Sequence, residues 1–197
     1  KKLMPYLHLP IQSGSDKILS SMNRRHTAKQ YIQIIEKIRK VNPDIALSGD
    51  FIVGYPGESD KDFNDTIELI KHVEYSQSYS FKYSTRPGTP ASVLEPQIPE
   101  IIKKKRLSIL QEVLFSQQSK FNSKFVGKVV DVLIEKDGGR DNQIMGKSQY
   151  MQSVYMNHKV GRIGEIKKIE VSYAGYQNNL IRLESVQNAI DQGAAVA

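Results

Sequence analysis

Four polar residues, Gln12, Ser13, Arg24 and Asp50, carry the kinds of group that bind a small charged ligand. Gln12 and Ser13 offer an amide and a hydroxyl, which suit ribose or amino-acid groups. The planar guanidinium of Arg24 can hold a carboxylate through two parallel hydrogen bonds. Asp50 lies in an apolar run, where a carboxylate is costly to bury without a partner or a water-filled cavity. Together they predict part of a cofactor site.

Each of these residues also has a purely structural interpretation. Gln12–Ser15 has the composition of an ordinary strand-to-helix turn, and Arg24 could be a surface arginine. Gly14 and the glycines of Gly54–Gly57 could serve only in turns, although each also lets a ligand approach the backbone closely. Taken alone, Gln12 and Ser13 favour the structural interpretation, and Asp50 favours the functional one.

The first 120 residues alternate strand and helix signals, which indicates parallel strands joined by crossover helices. Strands are predicted at 6–11, 45–53 and 77–83, and capped or proline-started helices at Thr27, Ser59 and Pro99. The helix from Thr27 is predicted to bury an apolar face of Tyr31, Ile34, Ile35, Ile38 and Val41. Ligands of such folds collect at the carboxyl ends of the strands, where Gln12 and Ser13 fall. Three units make only part of a barrel and leave a sheet edge unpaired.

After Phe125 the hydrophobic period changes to that of short strands. Alternating Val130, Val132 and Ile134, a hairpin at Asp137–Gly139 and strands at 166–173 and 180–183 indicate an antiparallel barrel of roughly 60 residues. From Val186 the sequence is small and polar, which predicts a frayed end. The predicted fold class is α/β, with domains at 1–121 and 122–185 and a tail at 186–197.

The composition limits the classes of function. The 197 residues are 39% hydrophobic, enough for a real core, and no apolar run approaches the roughly 20 residues that span a bilayer. The start lacks the pattern of a secretory signal, so a cytoplasmic location without membrane contact is expected. The chain has no cysteine and only four histidines without paired spacing, so no metal site is expected.

The net charge of +7 favours an acidic partner, and nucleic acid is the usual one for a basic chain. In the C-terminal module, Lys128, Lys147 and Tyr150 are candidate contacts, because an aromatic ring can stack on bases while lysines meet phosphates. Core packing explains the tyrosine equally well. The densest basic run, Lys103–Arg106, is predicted to be a solvated helix face, and His8 a core histidine.

Four segments, taken as a set, resemble the radical SAM methylthiotransferases. They are Leu7–Asp16 (LHLPIQSGSD), Met22–Arg24 (MNR), Asp50–Glu58 (DFIVGYPGE) and Phe81–Pro90 (FKYSTRPGTP). The wording of Phe81–Ser84 is closest to the branch that modifies tRNA at an isopentenylated adenosine. Residues 122–185 resemble that family's TRAM module, a small β-barrel associated with RNA binding.

The resemblance implies roles for the polar set. Gln12 and Asp50 would face the ribose of S-adenosylmethionine (SAM), and Arg24 would meet its methionine carboxylate. Ser13 and the backbone near Tyr83 would line the same site. The implied fold is the C-terminal part of a radical SAM partial barrel followed by the TRAM barrel, and the implied partner is tRNA.

The chain departs from the family in one respect, because it lacks the three-cysteine motif that binds a [4Fe-4S] cluster. Without thiolates no cluster forms, so catalysis by this chain alone is not expected. The expectation is a C-terminal fragment, a gene remnant, or half of a split enzyme whose separate N-terminal half carries the cysteines. One alternative is a tRNA-binding module without catalysis. Another, an unrelated partial barrel for a phosphorylated metabolite, is disfavoured by the lack of a glycine-rich phosphate loop.

Overall fold

A computed structural model describes residues 4–175 and 179–181 of the chain, which divides into two compact units. Residues 7–117 form the first, here called the α/β unit, and the second, here called the β unit, takes the residues on either side. The division falls within one long helix. The predicted domain limits at 121 and 185 stay a prediction.

A three-stranded sheet supports the α/β unit, with strand order β1-β2-β3 and parallel pairing of β2 with β3. Its strands are β1 (Tyr6–His8), β2 (Ala46–Val53) and β3 (Gln77–Lys82). Its helices are α1 (Asp16–Ser21), α2 (Ala28–Val41), α3 (Asp60–Val73) and α4 (Glu100–Ser123). The predicted alternation of strands and helices, and with it the α/β class, is confirmed.

The helices begin where hydroxyl caps occur in the sequence. Thr27 caps α2 through the Gln30 N–H, and the Gln30 side chain accepts from the Thr27 N–H, as the sequence predicts. The predicted apolar face of α2 is too wide, however. Tyr31 and Ile35 are buried, whereas Ile34 is 46% and Val41 88% exposed. Only one narrow stripe of a short surface helix reaches the core.

The core of the α/β unit lies between one face of the sheet and the helices. Alternate residues of β2 point into it, and Phe51 packs edge-on against Tyr75 at 5.3 Å between ring centroids. The other face of β2 carries Asp50 and Ile52, which pair in register with Tyr79 and Phe81 of β3. Tyr79 is 48% and Phe81 55% exposed, so this second face is largely open.

The β unit contains a curled, mainly antiparallel sheet that forms a half-barrel, in strand order β7-β4-β5-β6-β9-β8. Its strands are β4 (Val129–Asp137), β5 (Gln143–Ser148), β6 (Ser153–Asn157), β7 (Ile166–Glu170), β8 (Tyr173–Ala174) and β9 (Asn179–Ile181). The alternating residues Val130, Val132 and Ile134 are buried, as predicted. The strand predicted at 166–173 is interrupted after Glu170. Residues 182–183 of the predicted last strand and the tail at 186–197 lie outside the described residues.

Candidate functional site

A cavity of about 750 Å³ opens at the carboxyl ends of β2 and β3. This is the edge at which parallel α/β folds bind ligands. Separate stretches of chain build its wall: Gln12, Ser21–Arg24, Ile52, Tyr55, Phe81–Ser84, Arg86 and Thr89–Ala91. Three predicted site residues, Gln12, Arg24 and Tyr83, therefore line one cavity although they are distant in sequence.

Gln12 is held against β2 by two backbone hydrogen bonds. Its N–H donates to the Asp50 carbonyl and its carbonyl accepts from the Ile52 N–H, each at 2.9 Å. Its side chain lines the cavity although the residue is only 8% exposed. Its φ of 80° lies in the left-handed region, which a non-glycine residue adopts only at a cost. Such local strain is typical of ligand sites.

Asp50 lies beside the cavity on the open face of β2, two residues before the lining residue Ile52. Its partner is His8, whose Nε2 is 3.6 Å from the Asp50 Oδ2. The His8 Nδ1 is also 2.9 Å from the Ser48 Oγ. The prediction of a core histidine is wrong, because the His8 side chain is 39% exposed on this face. His8 faces Asp50 and the ring of Tyr79, whose centroid lies 6.2 Å from that of the imidazole, on the open side of the sheet and not on its core side.

Ser13 and Gly14 face helix α3 and do not line the cavity. The Ser13 hydroxyl is fully buried, 3.2 Å from the Thr66 Oγ1, which also accepts from the Gly14 N–H at 2.9 Å. A Cβ on Gly14 would lie 2.5 Å from the Asp65 carbonyl oxygen. The backbone that approaches Gly14 closely is thus that of α3. A contact between Ser13 and a cofactor stays a prediction.

Asp62, which the sequence analysis missed, links the start of helix α1 to the start of helix α3. Its carboxylate accepts from the Ser15 hydroxyl at 2.7 Å, the Ser59 N–H at 2.8 Å and the Lys17 ammonium at 3.1 Å. Burial opposes its ionisation, but the hydrogen bonds from Ser15, Ser59 and Lys17 outweigh that effect and hold the pKa of Asp62 far below its usual range. The capping pair Ser59 and Asp62 could be predicted from the sequence. The hydrogen bond of Asp62 with Ser15, 47 residues away, could not.

Asp62→Asn is expected to lower the free energy of unfolding by about 1.5–3 kcal/mol at neutral pH, the range for hydrogen bonds to charged groups. Because the folded pKa is depressed, this stabilisation is present above the unfolded value of about 3.9 and is lost as pH falls. Urea unfolding at pH 7 and pH 3 measures the difference. Asp65→Asn is the matched control, since the Asp65 carboxylate pairs with Lys61 at the surface. Equal losses for both variants, or a loss independent of pH, would contradict this role.

Helix α4 anchors the turn Gly54–Glu58 through Arg106. The buried Glu58 carboxylate accepts from the Gly54 N–H at 2.8 Å and from Arg106 Nη1 at 2.7 Å. Lys103 lies 3.3 Å from the Tyr83 carbonyl oxygen. The run at 103–106 is therefore not a uniformly solvated face as predicted, since Lys103 and Arg106 are buried. Residues three apart share one helix face, and their aliphatic stems cover the turn while the cations reach oxygen atoms.

Tyr83 lines the cavity and carries a hydroxyl whose hydrogen-bonding capacity is not satisfied. Its ring packs edge-on against Tyr55, with centroids 5.3 Å apart, and Lys103 Nζ lies 5.5 Å from the ring centroid. Its buried hydroxyl has no hydrogen-bond partner within the described part of the chain. A buried hydroxyl is ordinarily paired, so this one is an exception, and its oxygen is too enclosed to meet a ligand without a shift of its neighbours. The sequence analysis assigned only the backbone of Tyr83 to the site.

In the β unit, two of the three predicted RNA contacts surround Phe125. The Tyr150 ring packs on it with centroids 4.8 Å apart, and Lys128 Nζ lies 6.0 Å from its ring centroid. Lys147 instead donates to the Ser153 hydroxyl at 2.8 Å. Tyr150 also contacts Phe121, so core packing accounts for its position. Contacts of Lys128, Lys147 and Tyr150 with RNA stay predictions.

Two negative findings apply to the described residues, 4–175 and 179–181. No group of three or more His, Cys, Asp or Glu side chains in them is arranged to hold a metal ion. No helix in this part of the chain is both long and apolar enough to cross a membrane.

Comparison with known proteins identifies the class. The model of the Radical SAM superfamily matches residues 1–70, and that of the TRAM domain matches residues 123–174. The α/β sheet with its cavity and the curled β unit thus correspond to a radical SAM domain followed by a TRAM domain. Within that class, the chain is similar to radical SAM methylthiotransferases.

Curated relatives match the chain over most of its length. The chain is 54% identical over 173 residues to the tRNA-2-methylthio-N(6)-dimethylallyladenosine synthase of Agrobacterium fabrum. It is 53% identical over 174 residues to the protein of that name from Rickettsia conorii. The matches cover 88% of this chain but only 38% and 39% of the relatives, so the chain spans well under half of their length.

The residues of the cavity fit the chemistry of SAM, the cofactor implied by the family. SAM offers a carboxylate, a ribose with two hydroxyls and a flat purine. The residues that line the cavity include Arg24, whose guanidinium suits a carboxylate, and Gln12, whose amide suits ribose hydroxyls. Its volume of about 750 Å³ lies within the range of roughly 300–1,000 Å³ for small-molecule sites.

Proposed function

We propose that this chain forms the SAM-binding and RNA-binding portions of a tRNA methylthiotransferase. The substrate is N6-isopentenyladenosine at position 37, which receives a methylthio group at C2. The observation that carries the proposal is the convergence of Gln12, Arg24 and Tyr83 on one cavity at the carboxyl ends of the strands. The family and the similarity to tRNA-modifying relatives support the choice of substrate.

The roles of the residues follow from their chemistry. Arg24 binds the methionine carboxylate of SAM through its two parallel N–H groups. Gln12 and Asp50 bind the ribose, since an amide and a carboxylate both accept from hydroxyls. His8 orients the Asp50 carboxylate, since its Nε2 lies 3.6 Å from the Asp50 Oδ2. Bound in this way, SAM supplies the sulfonium group on which radical SAM chemistry depends.

The iron–sulfur cluster of the family does not fit this chain, since its 197 residues contain no cysteine. Cluster ligation requires thiolates. We therefore assign the chain binding and positioning, and assign electron delivery to a polypeptide segment that carries the three-cysteine motif.

The lack of cysteine also favours a second candidate function, tRNA binding without catalysis. In both functions the TRAM domain binds RNA, with Lys128 and Lys147 meeting phosphates and Tyr150 a base. The net charge of +7 agrees with an anionic partner. The two functions differ in the cofactor, because only the first requires SAM to bind the cavity.

Calorimetric titration of the full chain with SAM separates them. Arg24→Gln is expected to weaken binding by about 1.5–3 kcal/mol, or roughly 10- to 100-fold, since a charge-assisted hydrogen-bond pair is lost. The matched control is Arg25→Gln, because Arg25 is exposed and does not line the cavity. If the wild-type chain does not bind SAM, the second function is favoured. Equal binding by both variants would remove Arg24 from the site.

A further inference from the structure

Two cavity residues on the β3 side are not used by the proposed cofactor contacts. Phe81, at the end of β3, lines the cavity and is 55% exposed. Arg86 follows in the next loop, lines the same cavity and is also exposed. SAM has one carboxylate, which Arg24 matches from the α1 side. Arg86 is therefore a second guanidinium, which is available to a different anion.

The loop that carries Arg86 is held in shape by its own hydrogen bonds. The Arg86 carbonyl accepts from the Thr89 hydroxyl at 2.8 Å and from the Thr89 N–H at 3.2 Å. The far end of the loop is fixed to the turn Gly54–Glu58, since the Gly57 N–H donates to the Pro96 carbonyl at 2.9 Å. A loop fixed in this way presents its cation with little loss of conformational freedom on binding.

Lys82 and Arg86, the two cations compared near the end of β3, differ in their partners. Lys82 pairs with the Glu100 carboxylate. Arg86 makes no ion pair with any carboxylate of the described residues. A free guanidinium that lines the same cavity as an exposed aromatic ring matches one nucleotide of single-stranded RNA. The ring stacks on the base, and the planar fork of the arginine fits a phosphate.

We infer that Phe81 and Arg86 form the subsite for the target nucleotide of the RNA, with its base on the Phe81 ring and its phosphate on the Arg86 guanidinium. The inference rests on the proposed function, because the nucleotide must enter the cavity that binds SAM. Gln12 and Arg24 serve the cofactor, and Phe81 and Arg86 serve the substrate. The TRAM domain in the same chain gives general affinity for RNA, whereas this subsite selects an unstacked base.

The test measures the binding of the full chain to two stem-loop RNAs, one with adenosine and one with an abasic residue at the target position. Phe81→Leu is expected to weaken binding of the adenosine RNA roughly tenfold, the scale of one lost base stack, and to leave the abasic RNA unaffected. Arg86→Gln is expected to weaken both RNAs and to lower the slope of log K against log salt by about one. Tyr79→Leu is the matched control, since Tyr79 is 48% exposed on the same strand but does not line the cavity.

The outcomes separate the inference from the proposed function. SAM titrations of the same variants should match the wild type. A Phe81→Leu loss that is equal for both RNAs, or a loss of SAM affinity in place of RNA affinity, would overturn the inference alone. A wild type that binds RNA as expected but no SAM would reject the proposed function while the subsite stands on the RNA data. A wild type that binds neither RNA at low salt would overturn both.

Discussion

Replacing Arg106 with methionine is expected to lower the free energy of unfolding by about 3–5 kcal/mol, because it leaves a buried carboxylate without its cation. The Glu58 side chain is 1% and the Arg106 side chain 8% exposed, and their charged atoms are 2.7 Å apart. Arg106 also donates to the Glu58 carbonyl at 3.1 Å, so one cation holds both the backbone and the side chain of this residue. Urea unfolding followed by circular dichroism measures the loss.

The pH dependence of this loss has a definite sign. Burial raises the pKa of Glu58, while the Gly54 N–H and Arg106 oppose that rise. Without Arg106 the pKa rises further, so the folded state of the variant favours the neutral acid. A raised pKa contributes stability that is lost as pH increases, so the deficit of Arg106→Met is expected to shrink as pH falls toward about 4.3.

Two further variants serve as controls for Arg106→Met. Lys104→Met removes an exposed cation from the same helix and is expected to change stability by less than about 0.5 kcal/mol. Adding Glu58→Gln to Arg106→Met removes the unpaired charge and keeps an acceptor for the Gly54 N–H, so it should recover part of the loss. If Arg106→Met and Lys104→Met had equal effects, the buried ion pair would not hold the turn.

Gly14→Ala is the second change with a large expected effect, a loss of about 1–3 kcal/mol or more from overpacking. The added Cβ would lie 2.5 Å from the Asp65 carbonyl oxygen and 2.6 Å from the Thr66 Cα. Both are backbone atoms of α3, so a side-chain rotation cannot relieve the contact and the helix has to shift. The Gly14 N–H and the Ser13 hydroxyl would then lose their contacts with Thr66.

Thermal unfolding and SAM titration of Gly14→Ala together separate two explanations for this glycine. The structure predicts a clear loss of stability, whereas a glycine needed only for ligand approach would reduce SAM binding and leave stability unchanged. Gly139→Ala is the control, because a Cβ there meets no atom within 4 Å. A Gly14→Ala protein as stable as Gly139→Ala would contradict the packing at α3.

The sequence predicted the elements of the fold better than it predicted which faces are buried. Caps at Thr27 and Ser59 located two helices, and alternation located the strands of the β unit. These signals are local, since each depends on residues a few positions apart. Burial of Arg106 and exposure of Val41 depend on contacts between distant segments, which a helical period cannot reveal.

The polar residues of the site were predictable only in part, because the sequence shows local signals and not contacts between distant segments. Gln12 and Arg24 stood out by type and by position after a strand and a helix, and both line the cavity. Asp62 and Phe81 did not stand out, because an aspartate in a helix cap and an aromatic residue in a strand are ordinary. Their positions become informative only when the strands are in register and the loops are in contact.

Binding of SAM in the cavity can be tested by titrating SAM into the full chain labelled with ¹³C at its methionine methyl groups. Met22 lines the cavity, and the other four methionines do not: Met4, Met145, Met151 and Met156. Met22→Leu identifies the Met22 signal. If SAM binds in the cavity, this signal alone shifts and saturates as SAM is added. A Met22 signal that stays unchanged at saturating SAM, or equal shifts of all five signals, would contradict it.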